Sequence, residues 1–453
     1  MVLEFLRDVL SQPALLIGIM SCIGLIALKR PFHKIMTGTL KPILGYLMLA
    51  AGAGVIVSNL DPLGKMIEHG FHITGVVPNN EAIVAVAQKV LGVETMSILV
   101  VGLLMNLCIA RFTKFKYVFL TGHHSLFMAC LMSAVLGTAG LSGMELILVG
   151  GFLMGAWSAI SPAIGQSYTS KVTDGDEIAI GHFGSLGYYL SAWVAKYVGK
   201  AEDSTEDIEI PEKWGFLRDS TLSTALTMIV FYLIAAFAAG SEFVATLSGD
   251  MSPYLYAVMS AMNFAVGVTI VYSGVRMILG DLIPAFQGIA TKIIPNAIPA
   301  VDCAVFFTYA PTAVVLGFLS SFIGGIIGML ILGAVGGVLI IPGLVPHFFC
   351  GATAGIYGNA TGGRRGAAVG AFLNGLAITF LPALALPVLG QLGFQNTTFG
   401  DADFAVMGLV LGNAYEWVGM AGIYGIVAIA ALVLIIPNFI KTKGKVINYV
   451  EED

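Results

Sequence analysis

The chain has 453 residues, of which 57% are hydrophobic and 11% charged, and a formal net charge of −5. Soluble domains carry about 25% charged residues, so this chain cannot cover a water-facing surface, and its composition excludes disorder, coiled coil and nucleic-acid binding as whole-chain readings. With a mean hydropathy of +0.90, the useful unit of count is a membrane span of about 20 residues. Residues 1–10 contain Glu4, Arg7 and Asp8 and so lack the positive start of a signal peptide. The first apolar run, 14–28, ends at Lys29-Arg30 without a small-residue cleavage site and is expected to stay as a span. Further runs follow at 42–57, 96–110, 117–135, 144–160, 222–243, 254–272, 301–319, 322–341, 367–389 and 423–440, which makes about eleven spans.

Cations in the connections give an orientation. Lys29, Arg30, Lys34 and Lys41 share the first loop, and Arg111, Lys114 and Lys116 share another. Arg276, Arg364-Arg365 and the tail lysines Lys441, Lys443 and Lys445 follow, while the intervening connections are poor in Lys and Arg. The pattern predicts an outside N-terminus and a cytoplasmic C-terminus. The acidic stretch 200–219, broken by Pro211, is too short for a domain, and 188–197 mixes Tyr188, Trp193 and Tyr197 with Lys196 like an interfacial helix. Five cysteines, Cys22, Cys108, Cys130, Cys303 and Cys350, lie in apolar sequence with no CxxC spacing, which implies no disulfide framework.

Residues 41–50 line up with 276–285, sharing Ile, Leu, Gly, Leu and Ala in register behind a cation. Pro78 to Glu81 falls near Pro299 to Asp302, and Thr121 to His123 near Val345 to His347. Five spans between the copies would make this an inverted repeat, the architecture of secondary carriers with a midplane substrate site. The expected organisation is one integral membrane domain, 1–453: a first repeat at 12–162, a cytoplasmic amphipathic linker at 163–219, a second repeat plus last helix at 220–441, and a cytoplasmic tail at 442–453. Glycine and polar interruptions at Gly52 and Gly54, at 79–81, 121–124, 180–182 and 299–311, and above all at 350–363, predict re-entrant or unwound backbone around a cavity.

Ionisable groups inside apolar sequence are costly and usually face a cavity. Asp302 stands between Val301 and Cys303 with no basic residue near it; it reads as a hydroxyl acceptor or as a buried carboxylate pinning helix ends. Glu81 opens an apolar run and reads equally as a helix cap or a site residue. His123 and His182 each follow a glycine, and neutral imidazole both donates and accepts, which suits a polyhydroxylated ligand. His124 and His347 are weaker candidates, and Phe127 and Phe183 could wall the site. No HExxH-type spacing and no Walker A motif occurs, so neither a metal site nor ATP hydrolysis is expected.

LTGH (120–123), VTDG (172–175), IGH (180–182), AFQGI (285–289), VDCA (301–304), APTAVVLGF (310–318), LIIPG (339–343) and the glycine-rich 351–363 run together resemble the ascorbate-specific permease subunit (enzyme IIC) of the phosphotransferase system over nearly the whole chain. The resemblance implies an all-α polytopic protein of eleven spans, a homodimer in the bacterial cytoplasmic membrane with lipid around it. It also implies a scaffold and a core that moves in elevator fashion. Substrate would pass to a separate IIB protein, itself supplied by IIA, for phosphorylation; no cofactor and no phosphoryl-accepting residue is implied in this chain. The ligand positions of the family fall on Asn80, Glu81, His123, His124, Ser125, Leu126, Phe127, His182, Phe183 and Asp302, beside Gly52 and Gly54. Where the family has Thr-Tyr and a Gln near each histidine, this chain has Asn80-Glu81, Phe127 and Phe183. The resemblance makes L-ascorbate the leading substrate, and these departures keep galactitol, a pentitol or another sugar acid as alternatives. A proton-coupled carrier using Asp302 and the histidines is a further alternative.

Overall fold

The computed structural model describes Val9 and residues 12–439, except 73–74, 77, 79, 176, 209–219 and 391–397. The tail expected at 442–453 and most of the acidic stretch lie outside the described residues. Among those described, seven helices are long and apolar enough to cross a membrane, or eight counting a pair bent by 116°.

One layer consists of α1 (Pro13–Ala27), α2 (Phe32–Gly70), α8 (Ser220–Ala239), α9 (Ser241–Ser248) and α10 (Pro253–Lys292). Helices α2 and α10 have 39 and 40 residues, or about 60 Å each, twice the hydrocarbon thickness. They run antiparallel, and their glycines explain how closely. A Cβ on Gly45 would lie 2.8 Å from the carbonyl oxygen of Gly274, and one on Gly52 would lie 2.7 Å from that of Gly267. Small residues at this spacing let backbones touch where lipid gives no hydrophobic drive. The interruption expected around Gly52 and Gly54 is thus unbroken helix, in which Gly52 serves packing.

The second body holds α3 (Asn80–Phe112), α4 (Gly122–Thr138), α5 (Gly143–Ile164), α6 (Gln166–Thr173), α7 (Ser185–Val198), α11 (Pro311–Ala334), α12 (Leu344–Gly390), α13 (Ala402–Val418) and α14 (Met420–Ile435). The glycine-rich 350–363 run, expected to unwind, is helical up to its end. Only Gly362 and Gly363, with φ −139° and 59°, leave helical geometry. There the chain doubles back: a Cβ on Gly358 would lie 2.4 Å from the oxygen of Gly366, although the two are eight positions apart. Helix α11 lies against both arms, with Gly317 on Gly351 and Gly355, and Gly324 on Phe372 and Gly375. The glycines make this three-way contact possible instead of exposing peptide groups.

Helix α7, expected at an interface, buries Tyr188, Tyr189, Ala192 and Ala195 and exposes Trp193 and Tyr197. Its inner face meets α12 through Gly187 at Asn374 and Ser191 at Gly370. Two apolar runs are divided by strands: 117–135 begins as β1 (Tyr117–Phe119) before α4, and 301–319 begins at the end of β3 (Ile298–Val301), followed by a 3-10 turn, Cys303–Thr308, and α11. With β2 (Ala179–Ile180) these strands form a parallel sheet in the order β1-β3-β2.

Candidate functional site

The three strands pair with Phe119 opposite Ala300 and Ile180 opposite Val301. Backbone bonds continue past their ends, from Leu120 N–H to Ala300 O at 2.9 Å and from Gly181 N–H to Val301 O at 2.7 Å. Each strand then stops at the same edge and turns into a helix. The first residues beyond that edge include His123 and His124 after β1, His182 after β2 and Asp302 after β3. The carboxyl edge of a parallel sheet, with helix N-termini opening onto it, is a common ligand-binding position. Because β3 is central, Asp302 lies between the histidines of the two flanking strands.

Asp302 Oδ1 accepts the Ala304 N–H at 3.1 Å, capping the 3-10 turn, and Oδ2 lies 3.4 Å from His123 Nε2. Tyr46 of α2 reaches across from the other layer to Nδ1 of His123 at 3.2 Å. One oxygen of Asp302 thus pins a turn and the other faces the histidine.

His124 and His182 pack ring against ring, with centroids 3.8 Å apart. Nδ1 of His124 accepts the Phe183 N–H at 3.2 Å, and Nδ1 of His182 accepts the Gly184 N–H at 3.1 Å. The Tyr188 hydroxyl lies 2.8 Å from that same Nδ1. A ring nitrogen that accepts a backbone N–H is unprotonated, so in the neutral rings the proton sits on Nε2.

These groups face a cavity of about 1280 Å³. Of the residues singled out from sequence, Asn80, His123, His124, Phe127, His182 and Asp302 line it. Phe127 is an aromatic residue in that lining. Phe183 does not reach the cavity: it is fully buried and stacks on Phe119 at 4.6 Å. Ser125 is buried and bonds Thr121 O within its own helix, and Leu126 packs into the neighbouring core. Gly52 is in the α2–α10 contact, and nothing lies within 4 Å of a Cβ on Gly54. Glu81 continues α3 after Asn80, and its side chain is outside the described residues. His347 is buried behind the cavity lining, bonded through Nδ1 to Ser321 at 2.9 Å.

Sequence reasoning missed Tyr46, Asp401 and Asp403. Asp401 lines the cavity; its Oδ1 accepts from the Cys350 thiol at 2.8 Å and its Oδ2 from the Asn80 side-chain amide at 2.5 Å. Asn80 also accepts the Gly400 N–H at 2.9 Å, clamping the start of α3 to the start of α13. Asp403 is fully buried and reaches the start of α7. A signal was present: two carboxylates entering an apolar helix without a nearby Lys or Arg, the pattern that picked out Asp302.

His124, His182 and Asp401 bring ligand atoms within 4.8 Å of one another, as do His182, Asp302 and Cys303. A metal on Nε2 of His124 or His182 would need the proton on Nδ1, directed at the Phe183 or Gly184 N–H. These hydrogen bonds suit donors to a ligand oxygen better than metal ligands.

Residues 8–403 match the sequence model of the family described as PTS system sugar-specific permease component. The chain belongs to that family. This permease is also 28% identical over 417 residues to the ascorbate-specific PTS system EIIC component of Mycoplasma pneumoniae, covering 79% of this chain and 62% of that protein. It spans less than two thirds of that relative's length.

Proposed function

We propose that this permease carries L-ascorbate across the bacterial cytoplasmic membrane and passes it to a separate IIB protein, recharged by IIA, for phosphorylation. The observation that carries this reading is the Asp302 carboxylate set between His123 and His182 at the edge of a large cavity. The carboxylate accepts from hydroxyls and the imidazoles donate, so a polyhydroxylated ligand finds both. The N-terminus of α4, at Gly122, adds partial positive charge at the same edge. Ascorbate meets both kinds of group, its hydroxyls donating to the carboxylate and its enolate oxygen accepting from the imidazoles. The printed name of the Mycoplasma pneumoniae relative points the same way.

On this reading Asn80, His123, His124, Phe127, His182 and Asp302 contact the substrate. The protein works as a homodimer of eleven-span protomers, with its N-terminus outside and C-terminus inside. The layer of α1, α2 and α8 to α10 is the scaffold, and the sheet-bearing body is the core that moves past it. The repeat boundaries are those read from sequence.

The test is calorimetric titration of the purified protein in detergent with L-ascorbate, galactitol and a pentitol in parallel. Ascorbate alone is expected to bind, and Asp302→Asn to weaken it by about tenfold or more while the oligomer elutes unchanged. Phe127 lines the cavity where the family has an amide, so galactitol is the informative competitor. A response to a polyol with none to ascorbate overturns the substrate and keeps the permease.

A further inference from the structure

The two histidines of the buried pair are oriented by the short turn from His182 to Leu186 that joins β2 to α7. Its Phe183 N–H bonds His124, and its Gly184 N–H bonds His182. What fixes the turn comes from the far end of the chain. Asp403, in the first turn of α13, accepts the Leu186 N–H on Oδ1 at 2.9 Å. Its Oδ2 accepts the Ser185 hydroxyl at 2.8 Å and the Trp157 indole N–H at 3.3 Å. Its own backbone N–H donates to Phe183 O at 2.9 Å. One fully buried residue thus holds the turn from both sides: the side chain caps α7 and the backbone holds the peptide before it.

We infer that Asp403 is a positioning residue that holds the 182–186 turn so that His124 and His182 both present Nε2–H to the cavity, as a pair of donors for one acceptor oxygen of the ligand. The chemistry follows from the accounting. Both Nδ1 lone pairs are taken by backbone amides of the turn Asp403 clamps. Both neutral rings therefore carry their proton on the other nitrogen, and both rings line the cavity with centroids 3.8 Å apart. An enolate or carboxylate oxygen can accept both bonds; an alcohol oxygen also accepts, but without the charge that strengthens each bond. A burial this deep is tolerable for Asp403 because every bond of its carboxylate comes from a fixed donor. A cap for α7 alone would need only the Leu186 and Ser185 bonds. The additional backbone bond to Phe183, the residue whose N–H orients His124, extends the clamp to the donor pair.

The ligand clause rests on the proposed transport function; the positioning clause does not, and the experiment separates them. The full-length protein is labelled with 15N-histidine and examined by solid-state NMR without ligand, with His124→Gln and His182→Gln serving only to assign signals. In the wild type both imidazoles are expected as neutral rings protonated at Nε2. In Asp403→Asn, which matches the shape but cannot accept every bond, the Nδ1-protonated form should appear in one or both rings, and ascorbate affinity should fall about tenfold with the thermal midpoint held within a few degrees. Ser185→Ala, which removes one Oδ2 bond and leaves Asp403 in place, should shift the same signals less, and it serves if Asp403→Asn does not fold. Wild-type rings protonated at Nδ1, or tautomers unchanged in a folded variant with the clamp cut, overturn the inference. If ascorbate does not bind but the tautomers behave as described, the transport reading fails and the positioning role stands.

Discussion

The hydroxyl of Tyr46, on α2, lies 3.2 Å from Nδ1 of His123, on α4, and so joins the two layers through the site itself. The chain continues from Nε2 of His123 to Asp302 at 3.4 Å. With the tyrosine donating, His123 holds its own proton toward the carboxylate. Tyr46→Phe keeps the ring and deletes one bond worth about 1 kcal/mol net. Ligand affinity should fall by about fivefold, less than for Asp302→Asn. Titrating both variants beside the wild type checks the ranking.

Gly52 and Gly54 look alike in sequence and differ in space. A methyl group on Gly52 meets backbone on α10, 2.7 Å from Gly267 O and 2.8 Å from Val271 N, whereas one on Gly54 meets nothing within 4 Å. Backbone cannot rotate away as a side chain can. Gly52→Ala should therefore cost about 1–3 kcal/mol, and Gly54→Ala should be neutral or gain up to about 1 kcal/mol from helix propensity. Thermal unfolding in detergent reads the difference.

The reversal at Gly363 should tolerate substitution least. Its φ of 59° is combined with ψ of −155°, a region almost reserved for glycine, and a Cβ would sit 2.3 Å from Lys200 O and 2.5 Å from Asp203 O. Gly363→Ala adds strain to steric conflict, so a marked loss of folded yield is expected on size exclusion. Gly366→Ala serves as comparison: it meets Gly358 O at 2.3 Å but needs no positive φ.

Glu206 closes the other end of the core. Its carboxylate accepts the Thr312 N–H at 3.1 Å and the Ala313 N–H at 3.1 Å, at the start of α11. An anion there satisfies orphan amides and meets the positive end of the helix. Glu206→Ala should cost about 1 kcal/mol of stability, and Glu206→Gln less, since the amide oxygen still accepts. The wild-type advantage over Glu206→Gln should shrink in high salt, which thermal scans at two ionic strengths would show.

His123, His182 and Asp302 were legible in the sequence because polar groups placed after Gly or Val in long apolar runs have few innocent explanations. The strands that deliver them were not. Segments of two to four residues are too short for alternation to register against an apolar background. Nor does a glycine announce its purpose: Gly52 faces a helix more than two hundred positions away, and no local pattern distinguishes such a contact from a bend. Phe183 shows the same limit at the site. The side chain looked like a wall, but the peptide N–H is what touches His124. Asp401 and Asp403 escaped notice because the segment before α13 is polar, where a carboxylate is ordinary.

The strand order also constrains how the protein is made. β1 and β2 leave the ribosome well before β3, and each pairs with β3 rather than with the other. Through synthesis of everything up to Ile298, the peptide groups of the two flanking strands lack the neighbour that will receive them. His123 and His182 likewise follow flanking strands that no central strand yet joins. Only when the four residues of β3 are present can both sides pair, so the sheet beneath the binding edge is completed late. A nascent chain halted just short of β3 would already own most of its helices and none of its sheet, a window in which insertion factors or proteases meet a protein that is membrane-embedded but functionally unformed.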